Sequence, residues 1–162
     1  MEQKILIFKF LISTIILLIN FNVYSKNIIY GKARVIDGDT IHIKQKKIRL
    51  HGIDAPEINQ KCTYKKISWN CGIESKKFLL NLTDNKNIFC ESKNKDRYKR
   101  YIAICFIDNL NINKVMVQSG WAIAYRYYSD DYINEENFAH KNMLGIWKGE
   151  FEEPYFFRKK NK

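Results

Sequence analysis

The feature that most restricts this chain is a run of alternating apolar residues from Ile28 to Ile53, interrupted twice by turn chemistry. Ile28, Ile29, Tyr30, Ala33, Val35, Ile36, Ile41 and Ile43 have strand character, and Gly38 in Asp37-Gly38-Asp39-Thr40 supplies a turn in their midst. Gln45-Lys46-Lys47 makes a second polar turn, after which Ile48, Leu50 and Ile53 resume the pattern. This predicts a three-stranded meander. The period of two also fixes orientation: with Ile48 and Leu50 on the core, Arg49 and His51 face the other way. Arg49 therefore leaves the third strand on the side where Asp54-Ala55-Pro56-Glu57 turns.

The remaining segments supply what such a meander packs against. Asn59 to Asn70 is polar, holds Cys62 and reads as a loop, while Ser68 to Leu82 predicts a helix with Ile73, Phe78, Leu79 and Leu82 on its buried side. Strands are expected at Asn87–Glu91 and Arg100–Ile107, around the basic turn Lys93 to Lys99. Asn111 can cap a short helix through Val115 and Met116 that stops at Gly120. Trp121 to Tyr128 is aromatic and semi-extended. Asp131 can cap a last helix, Tyr132–Leu144, presenting Tyr132, Ala139 and Met143 inward and ending at Gly145. Five strands and about three helices make an α+β domain, and the meander start suits a small closed barrel of the oligonucleotide-binding (OB) type.

The first 25 residues stand apart from that domain. Lys4 and Lys9 precede and interrupt an acid-free apolar run from Ile5 to Ile19, and Val23-Tyr24-Ser25 offers a small-residue cleavage site. The expectation is a cleaved secretory signal at 1–25, a single domain at 26–162 and a secreted or periplasmic protein. The alternative is a membrane anchor at residues 5–24. Removing Glu2, Lys4 and Lys9 with the signal takes the formal charge from +11 to +10, still strongly basic. Charge of this size favours polyanionic partners, either nucleic acid or an anionic membrane surface. The run Arg158-Lys159-Lys160-Asn161-Lys162 reads as a solvated tail. No stable protein partner is implied, and a monomer is expected.

Four cysteines, at 62, 71, 90 and 105, suggest two disulfides in an exported domain. Cys62 and Cys71 would close a short loop, and Cys90 and Cys105 lie about equally far from the basic turn, facing each other across a hairpin. None forms a short metal-binding pair, and His42, His51 and His140 lack ligand-like spacing, which argues against zinc.

The acids and arginines carry the chemistry. Asp39 and Asp54 are hard oxygen donors at two strand ends, suited to calcium or magnesium. Glu57, beyond a rigid proline, can orient or deprotonate a water. Arg49 and Arg100 offer planar forks that hold a phosphate bidentately and strengthen as charge develops. Taken singly, each has a plainer reading: Asp-Gly is a common turn, and a lone arginine is a common surface charge.

Asp37-Gly38-Asp39-Thr40, then Arg49-Leu50-His51-Gly52-Ile53-Asp54-Ala55-Pro56-Glu57, then Asp96-Arg97-Tyr98-Lys99-Arg100 resemble, in order and spacing, the three signatures of the staphylococcal nuclease (thermonuclease) family. The similarity runs from about Ile28 to Phe151. It implies a five-stranded OB-fold barrel and calcium-dependent hydrolysis of DNA and RNA phosphodiesters, with the 5′ oxygen leaving and a 3′-phosphate remaining. By the same resemblance Asp39 and Asp54 take the calcium-binding carboxylate positions, with the Ala55 carbonyl as a further ligand where the best-known member has a threonine. Arg49 and Arg100 take the arginine positions and Glu57 that of the water-activating glutamate. Tyr98 and Arg97 take phosphate-contacting positions, Arg97 standing where the family has a lysine. Tyr128 is the choice for base stacking, within a looser match over Tyr125, Arg126 and Tyr127. Two rival readings are a barrel that binds nucleic acid without catalysis and a cationic surface- or membrane-binding protein.

Overall fold

In the computed structural model, which describes residues 27–161 with the side chain of Lys93 excepted, the expected meander opens the fold. The export segment expected at 1–25 lies outside the described residues. Strands β1 (Asn27–Val35), β2 (Thr40–Ile43) and β3 (Lys46–Leu50) are antiparallel, with Val35 opposite Ile41 and Ile41 opposite Ile48. Because β1 is twice as long as its partner, its first residues are free to pair with β7 (Asn87–Lys95), which in turn pairs with β8 (Tyr101–Ile107). Strand β8 then runs parallel to β3, Arg49 opposite Ile102, and closes five strands into a mixed barrel. The inward positions follow the two-residue period. Ile41, Ile43, Ile48, Ile88, Cys90 and Cys105 are all fully buried, and closure removes the open sheet edges that would invite aggregation.

Both expected disulfides are present. Cys90 and Cys105 are direct cross-strand partners in the β7–β8 hairpin, and Cys62 joins Cys71. The first sits inside the barrel. The second lies in a satellite cluster with Ile123 and Ile146, against which Trp69, Trp147 and Phe151 pack.

The outer elements depart from expectation in instructive ways. The segment read as a loop folds into a hairpin, β5 (Cys62–Tyr64) with β6 (Ile67–Trp69), whose turn residues Lys65 and Lys66 both adopt positive φ, 50° and 65°. Those angles belong to the hairpin turn whose twist matches paired strands, usually signalled by Asn or Gly. Two lysines gave no such signal. With Ser68 and Trp69 taken into β6, helix α1 starts at Cys71 and ends at Thr83, and Ile73 lies exposed while Cys71, Ser75, Leu79 and Thr83 face inward. Strand β9 (Leu110–Asn111) leads into α2 (Ile112–Gln118), where Asn111 caps as expected by accepting from the Lys114 amide at 2.9 Å. Helix α3 (Ile133–Lys141) is shorter than predicted at both ends. Asp131 does not cap it, because its carboxylate takes His51 Nε2 at 3.1 Å, and Met143 is exposed just beyond the helix at φ 52°. The supposed tail is a fourth helix, α4 (Pro154–Lys160), with Pro154 at its first position, where a missing N–H costs nothing. Among the described residues, no helix is long and apolar enough to cross a membrane.

Two glycines set how closely α1 approaches the meander. A Cβ on Gly38 would lie 2.0 Å from Ser75 Oγ and 2.6 Å from Ala55 Cβ, and one on Gly72 would lie 1.7 Å from the Glu57 carbonyl oxygen. Any side chain at either position would push α1 off the segment Asp54–Glu57. A last short pairing, β4 (Ile53–Asp54) with β10 (Ile123–Ala124), puts Asp54 opposite Ile123 and at the head of the aromatic segment.

Candidate active site

Strand register brings the first acid and the first arginine together. Thr40 is paired with Arg49, so Asp39 ends the turn beside the Arg49 side chain, and the Leu50 amide donates to the Asp39 carbonyl at 2.8 Å. Asp37 has the plainer role anticipated for an Asp-Gly turn: its carboxylate accepts the Asp39 amide at 3.0 Å. One turn further along the chain, Gly52 at φ 71° swings the backbone back, so that Asp54 comes within reach of the same guanidinium.

Arg49 bridges the two acids. Its Nη1 donates to Asp39 Oδ1, and its Nη2 donates to Asp54 Oδ1 at 2.6 Å and to the Ile53 carbonyl at 3.3 Å. The other Asp39 oxygen accepts the Ala55 amide at 2.8 Å, and Thr40 Oγ1 donates to Oδ1 at 3.0 Å. Burial raises the Asp39 carboxyl well above the usual carboxylate range, with Arg49 pulling it down and Asp37 and Asp54 pushing it up. Burial also works against the charge on Arg49, but Asp39 and Asp54 outweigh it and hold the guanidinium protonated. Two buried carboxylates close together are tolerated here because one planar cation spans both.

Glu57 is held from behind. Its amide donates to Gln60 Oε1 at 3.1 Å, its carbonyl accepts the Gln60 amide at 2.8 Å, and the fully buried Gln60 side chain donates onward to the Glu152 carbonyl at 2.6 Å. Its carboxylate turns toward Asp54. Between the two sits a residue that sequence reasoning assigned to a solvated tail. Arg158 Nη1 donates to Asp54 Oδ1 and to Glu57 Oε1, both at 2.8 Å, and its Nη2 donates to Asp54 Oδ2 at 2.9 Å. Burial disfavours its charge, yet Asp54 and then Glu57 raise its pKa above the ordinary arginine value. Arg158 thus completes a five-member cluster of three acids and two arginines. The available signal was weak: Pro154 followed by Tyr155-Phe156-Phe157 marks a helix start rather than a charged tail.

The other expected residues form a second group. Asp96 closes the β7–β8 turn by accepting the amides of Tyr98 and Arg100, each at 2.9 Å, and it holds Arg100 Nε at 2.7 Å. The guanidinium carbons of Arg97 and Arg100 lie 4.9 and 5.4 Å from the Tyr98 ring centre. Among the described residues, no hydrogen bond or ion pair joins this turn to Asp39, Asp54 or Glu57. The two groups are nevertheless neighbours. Arg100 stands two residues before Ile102, the cross-strand partner of Arg49. Arg49 lies near the C-terminal end of β3 and Arg100 immediately precedes the parallel strand β8, so both arginines come from the β3–β8 seam.

Beside Asp54 a cavity of about 590 Å³ is lined by Tyr125, Tyr127, Trp147, Phe151, Tyr155 and Phe156 among others. Tyr128, expected to stack on a base, is exposed and packs edge-on against Tyr125 and Tyr127, with centroids at 5.0 and 4.8 Å. Burial first, and then Asp54, raise the hydroxyl pKa of Tyr125.

The donors Asp39, Asp54 and Glu57 offer carboxylate oxygens alone, the chemistry of a hard cation. Among the described residues no group of three or more His, Cys, Asp or Glu is arranged to hold an ion unaided. Asp39 and Asp54 fit such an ion as a pair, since one guanidinium fork reaches both and their oxygens therefore converge. The rest of its coordination has to come from main chain, water and bound anion.

Comparison with known sequences matches residues 47–149 to the family described as "Staphylococcal nuclease homologue". Among curated proteins, the chain is 37% identical over 121 residues to an "Uncharacterized endonuclease" of Haemophilus influenzae, covering 70% of this chain and 63% of that protein. It is 34% identical over 128 residues to the "Succinoglycan biosynthesis protein ExoI" of Rhizobium meliloti, covering 76% and 67%. To the "Micrococcal nuclease" of Shigella flexneri it is 32% identical over 147 residues, covering 80% and 79%. The chain thus spans about two thirds of the length of the first two.

Proposed function

We propose, from the premise that this chain belongs to the staphylococcal nuclease family, that it is a calcium-dependent endonuclease hydrolysing phosphodiester bonds of DNA and RNA to leave 3′-phosphate ends. The names of two of these three relatives support a nuclease. The observation that carries the finer reading is the convergence of Asp39 and Asp54 on the fork of Arg49 near the end of β3, with Glu57 joined to Asp54 through Arg158. Neither rival reading accounts for it. A binding barrel has no use for three gathered acids, which repel phosphate, and a surface-binding protein has no use for buried ones.

In this reading Asp39 and Asp54, with the Ala55 carbonyl, hold the calcium ion. The bound ion supplies charge that offsets the phosphate and a Lewis acid for its oxygen. Arg49 and Arg100 grip the non-bridging oxygens, and their donors shorten onto the charge that builds as a water oxygen approaches phosphorus. Glu57 accepts the proton of that water. The new P–O bond forms as the bond to the 5′ oxygen breaks, and that oxygen leaves as a hydroxyl after taking up a proton. Arg97 and Tyr98 hold the flanking phosphate, and Tyr128 stacks on a base. Export by a cleaved signal at 1–25 to a secreted or periplasmic location belongs to the same proposal.

Digestion of labelled single- and double-stranded substrates, followed by end-group analysis, tests it. The expected products carry 3′-phosphates and 5′-hydroxyls. Products with 5′-phosphates, or binding without cleavage, would refute it.

A further inference from the structure

We propose that Arg158 is an internal competitor for the divalent cation: helix α4 docks its guanidinium on Asp54 and Glu57, and the ion has to displace it to bind. This rests on the calcium reading above and adds a residue that sets how tightly the site holds the ion.

The geometry makes the two occupants exclusive. Asp54 Oδ1 already accepts from Arg49 at 2.6 Å and from Arg158 at 2.8 Å, and Oδ2 accepts from Arg158 at 2.9 Å. That leaves Asp54 little lone-pair capacity. Arg49 engages only Oδ1 whereas Arg158 spans both oxygens, so a divalent ion drawing on that carboxylate would sit against the Arg158 guanidinium, and like charges a few ångströms apart repel strongly where water is scarce; Asp54 is fully buried. Glu57, the proposed acceptor of the water's proton, is engaged by the same Nη1 at 2.8 Å. One arginine therefore blocks an ion site and a base together.

Helix α4 can let go without unfolding the barrel. Of its residues only Pro154 is buried, while Tyr155 and Phe156 are exposed. Its base is fixed separately, through the Gln60 to Glu152 bond and the packing of Phe151 on Trp147. Arg158 ties the last turn to Asp54 and Glu57, and Lys159 and Lys160 share that turn. When a competent state is only a fraction of the population, apparent affinity falls by that fraction, so an arginine docked about nine-tenths of the time weakens cation binding roughly tenfold.

The test is calcium titration by calorimetry on the full chain, comparing the unaltered protein with Arg158→Ala and Arg158→Lys. Hydrogen exchange of residues 154–160 in the unaltered protein is followed with and without calcium. The expected result is roughly tenfold tighter calcium binding in Arg158→Ala, a smaller gain in Arg158→Lys, and faster exchange in 154–160 when calcium is added. Equal or weaker affinity in Arg158→Ala overturns the inference and leaves the calcium reading standing. No calcium binding by either protein overturns both. If Arg158→Ala fails to fold, the exchange measurement decides alone, and unchanged protection of 154–160 overturns the inference.

Discussion

Substituting Arg49→Lys keeps one positive charge between Asp39 and Asp54 but removes the planar fork that reaches both, since an ammonium is a point charge on a flexible stem. Turnover should fall by at least on the order of a hundredfold, the scale seen when one transition-state donor is lost. Stability should change by only about 1 kcal/mol, because the buried acids keep a counter-charge. Steady-state kinetics alongside thermal melting checks this, and near-normal turnover would remove Arg49 from the site. Much of this scale was legible in the sequence. Asp39, Arg49 and Asp54 lie within the meander and the turn that follows it, so strand period and turn position bring them together, with Glu57 three residues on. Arg158 was not legible, because its partners stand 101 and 104 residues away and nothing local to an arginine in a basic run announces a buried carboxylate.

The β7–β8 hairpin owes its tight end to Asp96. Partial burial raises the Asp96 carboxyl, but the Arg100 amide and side chain, with the Tyr98 amide, bring it below its usual value of 3.8. Because the folded value lies below the unfolded one, the stability it contributes is present above about pH 4 and is lost as the pH falls through the folded value. Asp96→Asn should therefore lower stability at pH 7, by about 2 kcal/mol for hydrogen bonds to a charged group, and flatten the acid limb of a stability-versus-pH curve. An unchanged acid limb would show that the turn does not depend on that charge. The two bridges also act at this scale. Replacing Cys90 and Cys105 by serine opens a loop of 15 residues and should cost about 3 kcal/mol in denaturant midpoints, as the chain-entropy account gives. Loss of less than about 1 kcal/mol would contradict it. Element types were readable where apolar period and caps agreed, as in β1 to β3 and at Asn111. They were misread where backbone conformation ran against residue type, as at Lys65 and Lys66, and where a side chain had a better distant partner, as Asp131 has in His51.

The whole molecule carries a formal charge of +11, and the β3–β8 seam that brings Arg49 and Arg100 from neighbouring segments is where a polyanion would be drawn. Neutralising about four phosphates would make duplex affinity fall roughly a hundredfold between 50 and 200 mM salt. Filter binding in excess chelator, where cleavage is suppressed, measures that slope, and salt-independent binding would contradict the reading of the charge. Closure of the barrel by the parallel pairing of β3 with β8 joins the two arginine groups, and that long-range register was foreseen only as a barrel type, not as a pairing of Arg49 with Ile102. In the proposed function the acid-arginine cluster hydrolyses phosphodiesters with a cation it cannot hold alone, so ion and substrate bind cooperatively. Its most direct test is a calcium titration into chelator-stripped protein, with and without a non-hydrolysable nucleotide, following hydrolysis of labelled DNA and circular dichroism together. The account predicts no cleavage in chelator with the fold intact, recovery on adding calcium, and a lower calcium midpoint when nucleotide is present; full-rate cleavage in excess chelator, or a midpoint indifferent to nucleotide, would contradict it.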